Sequence, residues 1–580
     1  MVYTLGINEI LHDTAVALLD ENKVIALMEE ERLTRVKQKP GFLLGGEGPT
    51  MSIDWCLKTF GLADSDIDAV GISFDVSFLQ VLKMLFDTVW QSLLKTPVHL
   101  TLRNRFAEED IGMELLNAAI PSFLFSRRRF LDDLRRRFKR VFFFNHHLCH
   151  AASSFHLSGF SEAGIIVVDG LSEDTPTTLW HGSNSKLKLI RKYPPAQSLG
   201  KLYRTVSGFL GFHNFEAGKT MGLSAYGEYE PRFARMLEVL DADYRVHLTA
   251  VRKLARYARR KDDPIEQVHK NIAATLQELL ERAGCELARA VHNETGCRNI
   301  CLAGGVALNC PMNSKILSLP FVDDIFIQPG AMDMGSSLGA AVLALEKLGF
   351  DFEEKMQHCF YGNEYGNDEI EPALAGLTYV RLDDVVSVAA RALAENYVLG
   401  WFQGRMEFGP RALGTRSILA SPVDPGMKDR VNVVKTRALW RPLAPSALEE
   451  DLGDWFENPA PSPFMTLNFP FKEGMGEKVP SVRHVDGSAR VQTIAKDLPG
   501  RYRELIVKFK ELTGIPMVMN TSFNEKGDPI VCYPADAVKT FQNTDMDFLC
   551  IGDFMVAKDR KSLDRLLAQK STKHGKKTRR

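Results

Sequence analysis

The sequence predicts a multidomain α/β protein: a duplicated α/β domain with its site between the halves, followed by a second α/β unit. Three observations predict this. At 580 residues the chain exceeds what one hydrophobic core supports, and ~100 to 200 residues per domain divides it into roughly three or four domain-sized units. A three-strand pattern occurs twice, near the N-terminus and again from Ala163. A polar, glycine-bearing segment at 350–367, with Glu353 and Glu354, then separates these copies from the rest.

In the first copy, "YTLGI", "TAVALL" and "KVIALMEE" are short runs rich in Val, Ile and Leu, with a turn at Glu21 and Asn22. The loop "NEILHD" joins the first two strands and puts His12 and Asp13 at a cleft-facing turn. A histidine titrates near neutrality and suits removal of a hydroxyl proton, although a loop histidine on the surface is the plainer reading. Residues 78–140 read as helical and carry the basic clusters "SRRRF" and "DLRRRFKR". Such runs are usually solvated helix faces, with an anionic ligand as the alternative.

The motif "NHHLCHAASSF" places His146 and His150 four residues apart, on one face of a helix, which suits a divalent metal; His147 points elsewhere. Asp169 in "IIVVDG" and Asp333 in "GAMDMGSSLGAA" stand beside glycines and complete a set of two imidazoles and two carboxylates suited to iron, zinc or manganese. The second copy follows with "GIIVVDG", "TPTTLWHG" and "KLKLIRKYP". Two glycine-rich stretches come next, "EAGKTMGLSAYG" with Lys219 and Gly222, and "LAGGVALNCPMN" with Gly304, Gly305 and Asn309. Backbone N–H groups at such junctions hold phosphate, while helix packing is the competing explanation for the glycines. Between them, 263–296 has apolar residues at helical spacing and ends at a glycine suited to a C-terminal cap.

The C-terminal unit contains "GRMEFGPRALGTRS" and "KTRALWRPLAPSAL", giving Arg405, Arg411, Arg416, Lys435, Arg437 and Arg441, and downstream Arg490, Asn520 and Ser522. Arginines interleaved with Gly, Pro and aromatic residues suggest fixed loops whose guanidinium forks bind phosphate and carboxylate oxygens. The nine cysteines include no CxxC pair, and Cys297 and Cys301 form no zinc-ribbon pattern, which fits a reducing cytosol. A net charge of −1 gives no general reason to bind nucleic acid or membrane, and no leader or spanning segment is expected.

Together "GINEILHD", "EEERLTRVK", "HHLCHAA", "GKTMGLSAYG", "AGGVALN", "GRMEFGPRALGTRS", "HVDGSARVQ" and "NTSFNEKGDPIV" resemble the NodU/CmcH family of O-carbamoyltransferases over nearly the whole chain. The resemblance implies a transfer domain over 1–350, with halves of about 1–160 and 161–350. That domain would be like the tRNA threonylcarbamoyl transferase subunit, a duplicated actin/Hsp70-like (ribonuclease H-like) ATPase-type fold. It further implies a linker at 351–367, a YrdC-like α/β domain over 368–562 and a disordered basic tail at 563–580.

For function, the resemblance implies that the C-terminal domain makes carbamoyl adenylate from carbamoyl phosphate and ATP with Mg, using Arg405, Arg411, Arg416, Lys435, Arg437, Arg441, Arg490, Asn520 and Ser522. The N-terminal domain would transfer the carbamoyl group to a hydroxyl of a small molecule such as an antibiotic or a sugar. There His12 and Asp13 would be catalytic, an Fe(II)-type ion would sit on His146, His150, Asp169 and Asp333, with zinc or manganese as alternatives, and the nucleotide would lie near Lys219, Gly222, Gly304, Gly305 and Asn309. The expected protein is a cytoplasmic monomer or homodimer. Competing readings are a threonylcarbamoyl-type transferase acting on tRNA, disfavoured by the near-neutral charge, a hydrogenase-maturation carbamoyltransferase, disfavoured by the missing CxxC pairs, and a non-catalytic actin/Hsp70-like nucleotide switch.

Overall fold

A computed structural model describes residues 1–76, 125–170, 172–213, 216–237 and 250–568, and two short strands at Val239–Leu240 and Arg245–Val246. The expected strands form. β1 (Tyr3–Asn8), β2 (Ala15–Asp20) and β3 (Val24–Glu29) make an antiparallel meander, and β4 (Ile67–Ile72) and β5 (Val141–Phe143) add in parallel beside β1, giving the order β3-β2-β1-β4-β5. The turn at Glu21 and Asn22 is closed by Asp20, whose Oδ1 accepts from the N–H groups of Asn22 and Lys23 at 2.7 and 2.9 Å.

The second sheet repeats this plan. β6 (Glu162–Val168), β7 (Thr177–Ser183) and β8 (Lys186–Tyr193) form its meander. With β9 and β10 given to the two short strands above, β11 (Asn299–Ala303) and β12 (Asp324–Ile327) lie parallel to β6, in the order β12-β11-β6-β7-β8. Two sheets with one strand order and one pattern of directions make the N-terminal region a duplicated, ribonuclease H-like fold of the actin/Hsp70 type.

Three helices fix the geometry between these sheets: α1 (His146–Phe155), α2 (Gln267–Thr295) and α3 (Asp333–Lys347). α2 ends at Gly296 with φ +74°, as its sequence predicts. α3 is buried along most of its length because its partners lack side chains where it crosses them. A Cβ on Gly6 would lie 1.8 Å from the Ser337 carbonyl oxygen, and one on Gly71 2.1 Å from that of Ala340. A Cβ on Gly339 would in turn lie 1.8 Å from the Cys149 carbonyl oxygen of α1. These close approaches pin the start of α3 beside the start of α1.

The basic helix Arg127–Arg137 buries Phe130, Leu131 and Leu134 against the first sheet and exposes Arg128, Arg135 and Arg136, a solvated basic face. Arg127 departs from that reading: it is buried and donates to Glu9 Oε1 through Nη2 at 2.9 Å. The rest of the 78–140 segment lies largely outside the described residues.

The C-terminal unit is built on one nine-stranded mixed sheet running from 378 to 557. Residues 351–367 do not form a free spacer. Phe352, Met356, Cys359, Phe360 and Tyr361 are buried, so this polar-looking stretch packs between the two parts of the chain. Order also continues past 562, where the helix Arg560–Ala568 buries Leu563 and Leu566 on one face. The tail from 569 lies outside the described residues. Among the described residues no helix is long and apolar enough to cross a membrane.

Candidate active site

The N-terminal site lies where the two sheets meet. Asn145 caps α1, its side chain accepting from the Leu148 N–H at 3.2 Å, and Glu173 accepts from the His146 N–H at 2.8 Å. An anionic side chain at the helix start satisfies donors that the helix leaves unpaired. His146 and His150 therefore project from a fixed first turn. Phe74 stacks on the His146 ring at 4.0 Å, and Thr178 takes His147 out of the site through a 2.9 Å contact with Nδ1. Asp169 directly follows β6, and Asp333 is the first residue of α3.

The four predicted ligands come together and all are buried. His146 Nε2 faces His150 Nε2 at 3.0 Å, Asp169 Oδ2 at 3.4 Å and Asp333 Oδ1 at 3.7 Å. The two carboxylates stand beyond good hydrogen-bond length, and buried Asp333 Oδ2 has no hydrogen-bond partner. One ion with bonds of ~2.0 to 2.2 Å sets neighbouring donors about 3.0 Å apart at a right angle and opposed donors about 4.2 Å apart, so the donor set fits a divalent transition metal.

The electrostatics match that fit. Burial disfavours a charged His146, but the Asp169 and Asp333 carboxylates facing its Nε2 hold its pKa up at about 10. Burial, and then the charge of His146, pull His150 down to about 4. His12 Nδ1 lies 2.7 Å from Asp13 Oδ2 and 4.0 Å from Asp333 Oδ2, and against the effect of burial these carboxylates raise it to about 9. Asp13 adopts φ +53°, and Asn8 Nδ2 donates to the carbonyls of His12 and Asp13, which locks this turn over the quartet.

Gly304 and Gly305 also reach the site. Gly304 has φ +88°, a Cβ there would lie 2.3 Å from the Val168 carbonyl oxygen, and the Gly305 N–H approaches Asp169 Oδ1 at 3.3 Å. The other predicted nucleotide residues have contacts elsewhere. Asn309 exchanges hydrogen bonds with Gln277 and caps the helix Cys310–Leu317 through the Met312 N–H. Lys219 pairs with Glu216, and Gly222 packs against Trp440 and Pro442 of the C-terminal unit. Sequence reasoning missed Arg204. Gly200 sits so close that its Cβ would lie 2.9 Å from the Asp169 carbonyl oxygen, and Arg204, one turn on along the same helix face, feels the Asp169 charge without a hydrogen bond to any described residue.

In the C-terminal unit the predicted cations divide into two groups. Arg405 donates to the carbonyls of Ile25, Tyr361 and Gly362, and buried Arg416 to those of Gln403, Thr415, Asn363 and Gly404 while stacking on Phe402. Both hold backbone together. Arg411, Lys435, Arg437, Arg441 and Arg490 converge instead: burial and then cationic neighbours lower the proton affinity of Lys435, Arg437 and Arg490, and Arg441 is one of those neighbours for each of the three. Burial and then Arg441 and Arg490 pull Arg437 down to about 9, and burial and then Arg411 pull Arg490 down to about 10. Buried Arg411 Nη1 and Arg490 Nε have no hydrogen-bond partner. Lys435 Nζ is held by the Ser522 carbonyl at 2.5 Å and by Asn524, and Asn520 lies beside this group with a buried Oδ1 that lacks a partner. Lys37, from the N-terminal domain, joins the charge field of Lys435 and Arg441, a long-range contact that local motifs do not reveal.

The two sites touch one short stretch. Residue 305 contacts Asp169, while the Leu308 carbonyl and Cys310 Sγ accept from Arg411 Nη2 at 2.9 and 3.3 Å. Comparison with known proteins bears on the same two regions. A family model described as carbamoyltransferase N-terminus matches residues 3–342, and one described as carbamoyltransferase C-terminus matches 390–558. The nodulation protein NolNO of Sinorhizobium fredii is 39% identical over 573 residues, covering 95% of this chain and 80% of that protein. The nodulation protein NolO of Bradyrhizobium diazoefficiens is 41% identical over 436 residues, covering 72% and 80%, and an uncharacterized Synechocystis protein is 33% identical over 617 residues, covering 96% and 97%.

Proposed function

The chain belongs to the carbamoyltransferase family and is an enzyme of carbamoyl transfer, and from that premise we propose a two-site relay from carbamoyl phosphate and ATP to a hydroxyl of a small molecule. The observation that carries this reading is the pairing of a half-buried, like-charged arginine cluster with a His–Asp quartet, joined by residues 305–310.

In the C-terminal unit, Arg411, Lys435, Arg437, Arg441 and Arg490 bind the phosphoryl oxygens of carbamoyl phosphate and ATP, which supply the negative charge that this cluster lacks. Carbamoyl phosphate gives carbamate and phosphate with water, and the carbamate oxygen then attacks the α-phosphorus of ATP, expelling pyrophosphate and leaving carbamoyl adenylate. Adenylation matters because carbamate itself is a poor electrophile. Passage between the sites without release protects the adenylate from water.

In the N-terminal cleft, the N–H groups at Gly304 and Gly305 and the Arg204 guanidinium receive the nucleotide phosphate. His12 donates through Nδ1 to Asp13, which sets its tautomer and leaves Nε2 as the atom that accepts the acceptor's hydroxyl proton. The hydroxyl oxygen bonds to the carbamoyl carbon as the bond to the AMP oxygen breaks. His146, His150, Asp169 and Asp333 are the residues that would hold a divalent metal. When bound, such an ion supplies Lewis-acid polarisation of oxygen and offsets the carboxylate charge that otherwise keeps His12 protonated.

The test incubates metal-replete protein with carbamoyl phosphate and ATP against a panel of hydroxylated acceptors, following pyrophosphate and AMP. Carbamoyl-phosphate-dependent release of both is expected. No nucleotide turnover with any acceptor would sink the relay.

A further inference from the structure

The strand register gathers a second set of metal-ligating side chains at the opposite end of β6 from the His–Asp quartet. Glu162 opens β6, and His181 lies on β7 opposite Gly164, so both project from the same face of the sheet as diagonal neighbours. Cys297 reaches the same place from another direction. α2 packs over this face, with Val291 filling the space that Gly164 leaves, and ends at Gly296. The left-handed φ of Gly296 then turns Cys297 back toward the sheet. Cys297 is held there firmly, its N–H donating to Thr295 Oγ1 at 3.2 Å and its carbonyl meeting His292 Nδ1 at 2.7 Å.

One ligand atom from each of Glu162, His181 and Cys297 lies within 4.8 Å of the other two. His181 Nε2 and Glu162 Oε1 are 2.7 Å apart, so a small rotation of either side chain opens the distance that two ligands of one ion require. Cys297 is only 5% exposed, whereas the side chains of His181 and Glu162 are 26% and 53% exposed, so an ion can enter from solvent toward a sheltered sulfur.

We propose that Glu162, His181 and Cys297 form a peripheral Zn(II)-type site, distinct from the quartet, that staples the start of β6 to the end of α2. A thiolate, an imidazole and a carboxylate select zinc or cobalt over magnesium or calcium, which prefer all-oxygen sites. Binding exchanges the thiol proton for the metal and releases that proton to solvent, and a fourth position is left for water. The site is structural. Seven residues of extended strand separate Glu162 from Asp169, roughly 23 Å at ~3.3 Å per residue, so it does not feed the chemistry of the quartet.

Cobalt(II) titration of the full-length, chelator-stripped protein tests this independently of the proposed function. A His146→Ala/His150→Ala variant removes the quartet, and a thiolate-to-cobalt charge-transfer band that saturates at one equivalent is expected there, with a band of the same final intensity in the parent. Cys297→Ser should abolish the band, and His181→Ala, at a partly exposed position that does not threaten folding, should weaken cobalt binding at least tenfold while leaving Cys297 in place. In the His146→Ala/His150→Ala background zinc should raise the melting temperature, and should no longer do so once Cys297→Ser or His181→Ala is added. The assignment is overturned by the absence of a thiolate band in the parent, by a band that survives Cys297→Ser, or by unchanged affinity in His181→Ala.

Discussion

The His–Asp quartet is buried and the arginine cluster half-buried, both are charged, and they meet the cost of leaving water in opposite ways. In the quartet, Asp169 and Asp333 face His146, so opposite charges offset one another and the geometry is fixed by the ends of regular elements. In the C-terminal cluster five cations lie together, burial and like charge lower the proton affinity of Lys435, Arg437 and Arg490, and Arg411 Nη1 and Arg490 Nε are without a hydrogen-bond partner. A buried like-charged group opposes folding until something anionic arrives. In the proposed relay this difference makes the quartet a site complete in its protein ligands, and the cluster a receptor whose missing half is its substrate.

The largest expected effect separates the two regions outright. His146→Ala removes a central donor of the quartet, and with it several kcal/mol of charge stabilisation in transfer, on the order of a thousandfold in rate. Carbamoyl-phosphate-dependent pyrophosphate release, which belongs to the other region, should be unchanged, and elemental analysis should find the quartet's metal lost. Parallel loss of pyrophosphate release would mean that the regions are one site.

Arg490→Met should do the reverse. Pyrophosphate release falls on the order of a hundredfold, while the ligand-free protein becomes as stable as the parent or more so, by about 1 kcal/mol, because a cation crowded by Arg411 and Arg441 has been replaced by an apolar side chain of similar length. Thermal melts with and without carbamoyl phosphate measure both. At a ligand concentration of 100 times Kd the parent should gain about 2.7 kcal/mol and the variant far less. A ligand-free Arg490→Met protein that is strongly destabilised would contradict the receptor reading.

Gly304→Ala tests whether the quartet region is as rigid as its close backbone packing implies. Forcing a side chain into a left-handed backbone and against the Val168 carbonyl should cost ~1 to 3 kcal/mol in stability and shift Asp169 with it. Denaturant unfolding gives the first, and a weaker affinity of the quartet for cobalt gives the second.

Much of this contrast was legible in the sequence because it is written in local spacing. The HxxxH pair, the repeated meander and the glycine after α2 are short-range patterns, and the His–Asp quartet assembled as expected. Arginine motifs are less informative, because guanidinium donors suit backbone carbonyls as well as phosphate. Arg405 and Arg416 are spent on backbone carbonyls, whereas Arg411 keeps a buried Nη1 and Arg490 a buried Nε without a hydrogen-bond partner, a division set by which loops the fold leaves beside them. Arg204, Lys37 and the meeting of Cys297 with His181 depend on contacts between distant segments, for which a single sequence carries no local pattern.

Lys37 is the smallest and sharpest test of the boundary between the regions. It belongs to the N-terminal domain, just beyond Arg35, which donates to the carbonyls of Ile530 and Pro529 and so docks this segment onto the C-terminal unit. There the Lys37 ammonium adds to the field of Lys435 and Arg441. If the cluster is a receptor completed across the domain boundary, Lys37→Ala should raise the KM for carbamoyl phosphate by about threefold, consistent with a charge worth ~0.2 to 1 kcal/mol near solvent, and the effect should fade as salt screens it. kcat should stay the same, because the lysine contributes attraction and not geometry. A fall in kcat with unchanged KM would instead assign Lys37 to the docking of the two regions and make the contrast between them one of mechanics rather than charge.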